Sequence, residues 1–196
     1  MDWTGFYEAM TGRAPRELLT RALDLAGPPR PGARAVDLGC GDGTEALALL
    51  EAGWHVVAID SSPDGVRRTT ERCAGHAERV DVRLAGFEEV AVPDCDLLYS
   101  GFSLPFCDKD VFPQLWQRIR AALRPDAPLV VNFFGTHDTW ASSPAMDRMT
   151  FLTRAEVRAL AAGLRDVDVR EHEEDGHAHT GPKHWHVLEL VARAAP

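Results

Sequence analysis

From residue 33 onward, apolar stretches of strand length alternate with amphipathic stretches of helical length. Five stretches predict buried strands: Ala33 to Leu38, Trp54 to Ile59, Val80 to Leu84, Asp96 to Ser100 and Ala127 to Phe134. Three stretches between them predict helices: Thr44 to Ala52, Asp64 to Ala74 and Val111 to Leu123. Because such alternation is typical of a parallel sheet covered on both faces, the pattern predicts an α/β fold.

The last third of the chain departs from this alternation. Thr153 and Glu156 stand three residues apart, which is the spacing of a capping box at a helix start. Two predicted strands follow, Val167 to Glu173 and His184 to Ala192, and the glycine-containing loop between them predicts a hairpin. Since a hairpin makes the last strand antiparallel, we expect a Rossmann-like mixed seven-stranded sheet with helices on both faces.

The first 27 residues form a separate predicted unit. Apolar residues recur at helical spacing between Trp3 and Leu25, and Gly12 and Pro15 divide this segment into two short helices. A stiff turn of prolines and glycines at residues 27–32 follows. The sequence therefore predicts one domain over residues 1–196, with an N-terminal helical cap or lid at 1–27 and a Rossmann-like core at 33–196.

Composition narrows the class of protein. The net charge of the 196 residues is −9, which disfavours a nucleic-acid partner because such binding depends on neutralising phosphates. The four cysteines show no C-x-x-C spacing, and neither a signal peptide nor a long apolar run is present. We therefore expect a reduced, cytoplasmic protein without a membrane partner.

A glycine-rich loop follows the first predicted strand. Gly39, Gly41 and Gly43 occupy alternate positions between that strand and the helix that begins at Thr44. Glycine allows the backbone to approach a ligand closely, and the start of a helix offers free N–H groups to a carboxylate or phosphate. A loop of this kind is also compatible with a tight turn that binds nothing.

Two acids beside the loop indicate which nucleotide it would bind. Asp60 closes the second strand, where an acid can bond the hydroxyls of a ribose. The dinucleotide fingerprint G-x-G-x-x-G requires glycine at the position of Thr44. Asp37, directly before the loop, suits a cationic amino group better than a pyrophosphate. The pattern therefore favours a cofactor with a cationic amino group over a nicotinamide dinucleotide.

This combination resembles the class I S-adenosylmethionine-dependent methyltransferases, and the resemblance extends over nearly the whole chain, including the late hairpin. Within that superfamily the chain resembles the small tellurite-resistance-type bacterial methyltransferases. The stretches that carry the narrower resemblance are Phe6-Tyr7-Glu8 with Gly12-Arg13, Asp37 through Thr44, Gly53-Trp54 with Ala58-Ile59-Asp60, Ser103-Leu104-Pro105-Phe106, and Lys183-His184-Trp185-His186. The resemblance implies S-adenosylmethionine as cofactor and methyl transfer as activity, and it leaves the substrate open.

The resemblance also implies cofactor-binding residues on the loop and at the ends of strands. They are Asp37, Gly39, Cys40, Gly41, Asp60, Ser61, Phe87, Glu88 and Ser100. In the cap, Arg13 and Arg16 stand beside the flexible Gly12 and could reach an anion, either the cofactor carboxylate or an acidic substrate, so Arg13 is a further cofactor-binding candidate. Many relatives carry an acid for the adenine amino group after the third strand, but this chain has Ala85-Gly86-Phe87-Glu88 there. We expect Phe87 to pack on the ring and Glu88 or a backbone group to supply the hydrogen bond; helix capping near Glu88 is the alternative.

The acceptor is expected to be a small molecule. The stretch after the fourth strand, Tyr99 to Phe106, lacks the Asn/Asp-Pro-Pro-aromatic pattern of nucleic-acid and protein amide methyltransferases. Aromatic residues and a histidine lie in the cap or after strands and are pocket candidates, although each could equally belong to the core or a loop: Tyr7, Phe102, Phe106, His137 and Trp140. His137 and Tyr7 are the candidate catalytic residues. Either would act as a general base, which is needed only when the acceptor is protonated at working pH.

Five histidines near the end of the chain raise the question of a metal: His172, His177, His179, His184 and His186. His184 and His186 alternate and would share one face of a strand. Because no cysteine or carboxylate in the sequence completes a tetrahedral set, we predict no metal and metal-independent activity. Two other functions stay open: a non-catalytic S-adenosylmethionine-binding protein, and a nicotinamide-dependent oxidoreductase, which the glycine spacing opposes. The oligomeric state is also open.

Overall fold

The computed structural model describes Gly5, Tyr7 and residues 12–178 and 181–196. Its helices are α1 (Glu17–Ala26), α2 (Thr44–Glu51), α3 (Pro63–Arg72), α4 (Phe112–Ala122) and α5 (Arg154–Leu160). Its strands are β1 (Arg34–Leu38), β2 (His55–Asp60), β3 (Val80–Leu84), β4 (Leu97–Ser100), β5 (Pro128–Gly135), β6 (Phe151–Leu152), β7 (Arg165–Ala178) and β8 (Gly181–Arg193).

The strands form one mixed sheet in the order β3-β2-β1-β4-β5-β8-β7, and the short β6 pairs with the end of β5. Strands β1 to β6 pair in parallel, whereas β8 runs antiparallel to both β5 and β7. The order reverses direction between β1 and β4. In open α/β sheets a ligand binds outside the carboxyl ends of the strands at such a switch point.

Each face of the sheet packs against its own hydrophobic core. Alternate residues of the central strands face opposite sides, so Val36 and Leu98 join one core while Ala35 and Leu97 join the other. Helices α4 and α5 supply side chains to the first core, and α1 and α2 supply side chains to the second. The central strands β1, β2, β4 and β5 are consequently buried on both sides, and their fixed carboxyl ends can hold a site rigidly.

The predicted Rossmann-like architecture is confirmed, with differences in detail. Strands β7 and β8 are longer than predicted because the hairpin continues to Ala178 and Gly181, through polar and histidine-rich residues that strand patterns miss. Strand β6 was not predicted, since two residues give no periodicity. The second predicted N-terminal helix is α1, whereas the first falls mostly on residues 1–11, of which the structure describes only Gly5 and Tyr7.

Candidate active site

A cavity of about 270 Å³ lies at the switch point, where the carboxyl ends of β1, β2, β3 and β4 meet. Its lining contains most of the residues singled out in the sequence: Tyr7, Arg13, Gly39, Cys40, Gly41, Asp60, Ser61, Phe87, Glu88, Phe102 and Phe106. The structure thus brings together residues from the cap, the glycine loop and the ends of four strands. Asp37 and Ser100 lie beneath this surface, and His137 and Trp140 are outside the lining.

The glycine loop has a backbone that other residues could not adopt easily. Gly39 has φ +81°, and a Cβ atom there would lie 1.7 Å from the hydroxyl oxygen of Ser103. Gly43 has φ +79°, and a Cβ there would lie 2.8 Å from the Cα of Thr69. Both glycines therefore permit a positive φ and close packing of the loop against neighbouring elements, and the loop is held in one shape at the start of α2.

Asp60 ends β2 and fixes the loop from the opposite side. One of its carboxylate oxygens accepts the N–H of Gly41 at 2.8 Å, and the other accepts the N–H of Ser62 at 2.8 Å. Burial raises the pKa of Asp60, while these two hydrogen bonds act to lower it. The Tyr7 hydroxyl is a further hydrogen-bond partner of this carboxylate, so a ribose hydroxyl at Asp60 would share or replace that contact.

Tyr7 lies over this end of the cavity. A Cβ atom on Gly65 would be 2.9 Å from the Tyr7 hydroxyl and 3.3 Å from Asp60 Oδ1, so both groups surround the same point. Burial and the neighbouring Asp60 carboxylate raise the pKa of Tyr7, and Ser62 also bonds its hydroxyl. A hydroxyl with a raised pKa is a poor general base, and Tyr7 lies at the end of the cavity formed by Asp60.

Asp37 is a buried carboxyl group with an unpartnered oxygen. The residue is 1% exposed, and Oδ2 has no hydrogen-bond partner among the described residues. Burial raises the pKa of Asp37 well above its ordinary value, and the nearby carboxylates of Glu45 and Asp60 raise it further. The Asp37 carboxyl therefore lacks both a neighbouring cation and a hydrogen-bond donor for this oxygen. An ammonium group at the cavity floor would supply both. The residues present therefore fit a cofactor with a cationic amino group.

Two arginines beside α1 line the cavity in different ways. Arg13 makes a two-pronged contact with Glu45, with both N–O distances 2.5 Å, so its planar fork is already occupied. The Nε of Arg16 approaches the same carboxylate only to 4.0 Å, and its guanidinium lies 4.3 Å above the centre of the Phe102 ring. Arg13 thus lines the cavity with its guanidinium already paired to Glu45, and its predicted role in cofactor binding stays a prediction.

The adenine end that the resemblance implies is formed by Ser61 and the segment after β3. Ala85, Gly86, Phe87 and Glu88 all line the cavity. A Cβ atom on Gly86 would lie 2.8 Å from a carboxylate oxygen of Glu88, so the Glu88 side chain folds back over that backbone. Both Phe87 and Glu88 are thus available to a ring in the cavity. Their individual roles stay predictions.

Another part of the cavity wall is aromatic. Phe102, Phe106 and Met149 line it, and Trp140 packs behind Phe106 with ring centres 6.1 Å apart. Behind this wall, the ammonium of Lys183 pairs with Asp138, and both side chains are almost fully buried. The same ammonium contacts aromatic rings, at 3.6 Å from the centre of the Trp185 ring and 4.3 Å from that of Trp140.

His137 contacts the β7–β8 hairpin and does not line the cavity. Its ring nitrogen lies 3.0 Å from a Glu173 oxygen, and its ring stacks on His186 with centres 4.7 Å apart. Of the described residues, these three offer ligand atoms within 4.8 Å of one another. The fold thus brings the Glu173 carboxylate beside these two histidines, which no local sequence pattern predicts, but three ligand atoms do not complete a tetrahedral set.

The hydrogen bonds of His186 also oppose metal binding. Its Nδ1 accepts the backbone N–H of His137 at 3.0 Å, so the ring proton of the neutral side chain resides on Nε2. That Nε2 donates to a Glu171 oxygen at 2.9 Å. A metal on Nε2 would displace the proton to Nδ1, where it would face the N–H of His137. The predicted absence of a metal stays a prediction.

One predicted residue lies beneath the cavity, and one lining residue was not predicted. Ser100, predicted to bind the cofactor, donates its hydroxyl to the carbonyl of Leu38 at 2.7 Å and joins β4 to β1 beneath the loop, which does not place it on the cavity surface. Glu45 lines the cavity but was not singled out in the sequence. A buried acid in the first turn of an otherwise apolar helix is the signal that could have found Glu45.

Comparison with known proteins matches part of the chain to a methyltransferase domain. Residues 35–126 match the family model for the methyltransferase domain. Over 109 residues the chain is 31% identical to carboxy-S-adenosyl-L-methionine synthase of Aeromonas salmonicida, covering 53% of this chain and 44% of that protein. The chain thus spans less than half the length of this curated relative.

Two solved structures show the same fold. TehB of Haemophilus influenzae superposes with a TM-score of 0.77 at 14% identity, over 96% of this chain and 65% of that one. A 1,6-didemethyltoxoflavin-N1-methyltransferase of Burkholderia thailandensis, solved with 1,6-didemethyltoxoflavin and S-adenosylhomocysteine, gives 0.69 at 22% identity, over 92% and 78% of the chains.

The matched domain and the shared fold support a class I S-adenosylmethionine-dependent methyltransferase, with S-adenosylmethionine as the cofactor. Within the described residues, no helix is both long and apolar enough to cross a membrane.

Proposed function

We propose that this protein transfers the methyl group of S-adenosylmethionine to a small-molecule acceptor. The observation that carries the proposal is the unpartnered Asp37 oxygen beneath a rigid glycine loop, with Asp60 at the end of the next strand. These groups match the cationic and hydroxyl-bearing parts of this cofactor. A dinucleotide would bring a pyrophosphate to a cavity whose floor is acidic.

The chain's own residues would hold the cofactor along the cavity. Asp37 and the loop would receive the amino-acid part, and Asp60 would accept hydrogen bonds from the ribose hydroxyls. Ser61 and Phe87 would flank the adenine. The methyl group would then point toward the end lined by Phe102 and Phe106, which are the residues available to an acceptor.

When bound, the cofactor supplies the chemistry, since its sulfonium is an activated methyl donor. The protein contributes alignment. Holding a nucleophile and the methyl carbon roughly 3–3.5 Å apart and in line can lower the barrier by about 7–11 kcal/mol. His137 lies outside the cavity lining and Tyr7 at its other end, so the proposal assigns no general base to either. Such a site suits an acceptor that is already deprotonated.

A small molecule fits better than a macromolecule. The net charge of −9 opposes a nucleic acid, and four acidic residues line the cavity: Asp42, Glu45, Asp60 and Glu88. The cavity ends in an aromatic wall rather than in an open basic groove. These features support a compact acceptor with an apolar body.

Titration calorimetry with S-adenosylhomocysteine tests the cofactor part of the proposal. Asp60→Ala should weaken binding by roughly 1.5–3 kcal/mol, because a charged hydrogen-bond acceptor is removed. Asp81→Ala is the matched control, since Asp81 is an exposed acid on the neighbouring strand. Equal affinity of the Asp60→Ala variant and wild type would refute the role of Asp60.

Turnover separates an enzyme from a binding protein. Wild-type protein should methylate at least one member of a panel of thiols, phenols and metalloid oxyanions, read as S-adenosylhomocysteine release. Tight cofactor binding without turnover across the panel would favour a non-catalytic S-adenosylmethionine-binding protein.

A further inference from the structure

The segment Ser103-Leu104-Pro105-Phe106 carries a hydroxyl group into the wall of the cavity. Ser103 is partly buried and lines the cavity together with Gly39 of the glycine loop and with Phe102 and Phe106. A Cβ atom on Gly39 would lie 1.7 Å from Ser103 Oγ, so this hydroxyl lies directly against the backbone of that glycine. Ser103 thus borders both the loop that would hold the cofactor and the aromatic part of the wall.

The Ser103 hydroxyl has no hydrogen-bond partner among the described residues. Ser103 precedes the short helical turn Leu104–Phe106, and a serine at the start of a helix commonly accepts a backbone N–H from its first turn. The Ser103 side chain makes no such bond. A hydroxyl that does not cap the turn leaves one donor and two lone pairs for a group in the cavity.

The backbone on either side of Ser103 is held in place. Phe102 has φ +55°, a left-handed value that costs energy for a residue with a side chain. Its N–H donates to Asn132 Oδ1 at 2.6 Å, which fixes this conformation. On the other side, the carbonyl of the buried Pro105 accepts the N–H of Thr150 at 2.9 Å. Ser103 is therefore presented to the cavity on a backbone that is fixed at both ends.

Three of the four acids that line the cavity have partners in the protein. Asp60 accepts two backbone N–H groups, and Glu45 and Asp42 each pair with an arginine. Asp37, which lies beneath the surface, would pair with the amino group of the cofactor in the proposed complex. The charges of these acids are therefore compensated when the cofactor is bound.

The fourth lining acid, Glu88, has no ion-pair partner among the described residues, and it would oppose an anion in the cavity. Two positive groups offset it. The guanidinium of Arg16 lies 4.3 Å above the ring centre of Phe102, the residue before Ser103. It also faces Glu45, with Nε 4.0 Å from that carboxylate, so it is a nearby charge and not a free fork. The cofactor, when bound, adds its sulfonium. The cavity can thus accommodate one negative charge next to the methyl group.

We propose that the Ser103 hydroxyl donates a hydrogen bond to the ionised oxygen of an aromatic acceptor, a phenolate, and holds that oxygen toward the methyl group. An O–H group pairs more strongly with an oxygen anion than with a thiolate, since sulfur is a weak acceptor. Phe102, Phe106 and Met149 would contact the aromatic ring. The phenolate oxygen forms the new O–C bond with one lone pair while the C–S bond breaks and its electron pair stays on sulfur. Ser103 keeps its proton throughout.

This inference rests on the proposed function and adds to it an acceptor class and an acceptor-binding residue. The other possible partner of the Ser103 hydroxyl is the amino-acid part of the cofactor, because Gly39 belongs to the loop. Asp37 is available to the amino group of that part, and the free N–H groups at the start of α2 are available to its carboxylate. Both ends of the amino-acid part thus have other partners, which leaves the Ser103 hydroxyl for the acceptor.

Binding of 4-nitrophenol to the complex with S-adenosylhomocysteine tests the proposal, because the absorbance of this probe changes when it ionises. With S-adenosylhomocysteine saturating, the wild type should bind the ionised probe at least fivefold more tightly than nitrobenzene, which has the same ring without the oxygen. Ser103→Ala should weaken binding of the ionised probe about tenfold and change nitrobenzene binding less than twofold. The bound probe should also ionise about one pH unit higher in this variant than in the wild type. Ser142→Ala, which removes an exposed hydroxyl, is the control.

Each outcome decides a different point. Equal affinity of wild type and Ser103→Ala for the ionised probe, or equal ionisation of the bound probe, overturns the role of Ser103. Failure of the wild type to bind 4-nitrophenol overturns the acceptor class. If Ser103→Ala instead weakens S-adenosylhomocysteine but not 5′-methylthioadenosine, which lacks the amino-acid part, the hydroxyl serves the cofactor and the proposal is wrong. Failure of the wild type to bind S-adenosylhomocysteine refutes the proposed function itself.

Ser103→Ala should fold, because it removes only a hydroxyl that no described residue bonds. A cooperative urea transition with the wild-type midpoint checks this. Loss of that transition would assign the hydroxyl a structural role and overturn the proposal.

Discussion

At the residue scale, Asp37 shows how a site for a cationic ligand costs stability. Its carboxyl is fully buried with an unpartnered oxygen, and burial raises its pKa well above the ordinary value for an aspartate. The ionised form is therefore less favourable in the folded than in the unfolded chain. The stability of the wild type should fall as pH rises from about 4 toward the raised pKa in the folded chain.

Asp37→Asn should reduce this dependence, because the amide does not ionise, while the raised pKa of Asp60 leaves a remainder of the same sign. At neutral pH, we expect the variant to be more stable than the wild type by on the order of 1–3 kcal/mol and to bind S-adenosylmethionine at least tenfold more weakly. Urea unfolding between pH 4 and 8 and calorimetry measure the two effects. A variant that is less stable at neutral pH would show that Asp37 is not an uncompensated charge.

His137 and His186 give a second residue-scale prediction. Since Nδ1 of His186 accepts a backbone N–H and its Nε2 donates to Glu171, the cluster is held together without a metal. Turnover should be unchanged after dialysis against a chelator, and His137→Gln should retain wild-type activity. Loss of activity in chelator with recovery on addition of one metal ion would contradict this.

At the scale of elements, the sequence predicted the strands and helices that are marked by a local pattern of apolar or capping residues. Strands such as Val36 to Leu38 have local apolar patterns, and the capping box of Thr153 and Glu156 is present at the start of α5. Contacts between distant segments were not predictable, since no local pattern relates Arg13 to Glu45 or His137 to Glu173. The glycine loop and Asp60 were recognised because their spacing along the chain is local. Glu45, the partner of Arg13, was not recognised, because no local spacing relates the two residues.

The buried ion pair between Asp138 and Lys183 is another such distant contact. Asp138 follows β5, Lys183 lies in β8, and their side chains form a buried ion pair. Asp138 also accepts the N–H of Trp140 at 3.0 Å, which fixes the segment behind the aromatic wall. The ion pair thus joins the β7–β8 hairpin to the segment after β5, whose Trp140 packs against Phe106 of the cavity wall.

Lys183→Met should destabilise the protein by about 3–5 kcal/mol, because it leaves the Asp138 carboxylate buried and unpaired. Adding Asp138→Asn to this variant should recover part of the loss, since the amide oxygen can still accept the Trp140 N–H. Lys109→Met is the matched control, as Lys109 is the other lysine and is exposed. Urea unfolding measures all four proteins. No recovery in the double variant would contradict the role of the uncompensated charge.

At the scale of the whole molecule, the N-terminal segment and the core share the cavity. Tyr7, Arg13 and Arg16 precede α1 and line the cavity together with residues from β1, β2 and β4. The lid predicted for residues 1–27 falls partly on residues 1–4, 6 and 8–11, which lie outside the described part of the chain. The described residues nonetheless indicate what a lid would do, since closure over the cavity would exclude water from the reaction.

Deletion of residues 1–16 tests whether this segment acts on ligands or only on folding. The deletion removes Arg13 and would leave Glu45 unpaired, with its side chain 7% exposed. The deletion is therefore combined with Glu45→Gln and compared with the full-length Glu45→Gln protein. We expect the shortened protein to fold, as judged by a cooperative urea transition, and to bind S-adenosylhomocysteine at least tenfold more weakly with little turnover. Normal binding and turnover would contradict a lid. Loss of the cooperative transition would assign the segment a structural role. Glu45→Gln removes the unpaired charge, so that charge could not explain the loss.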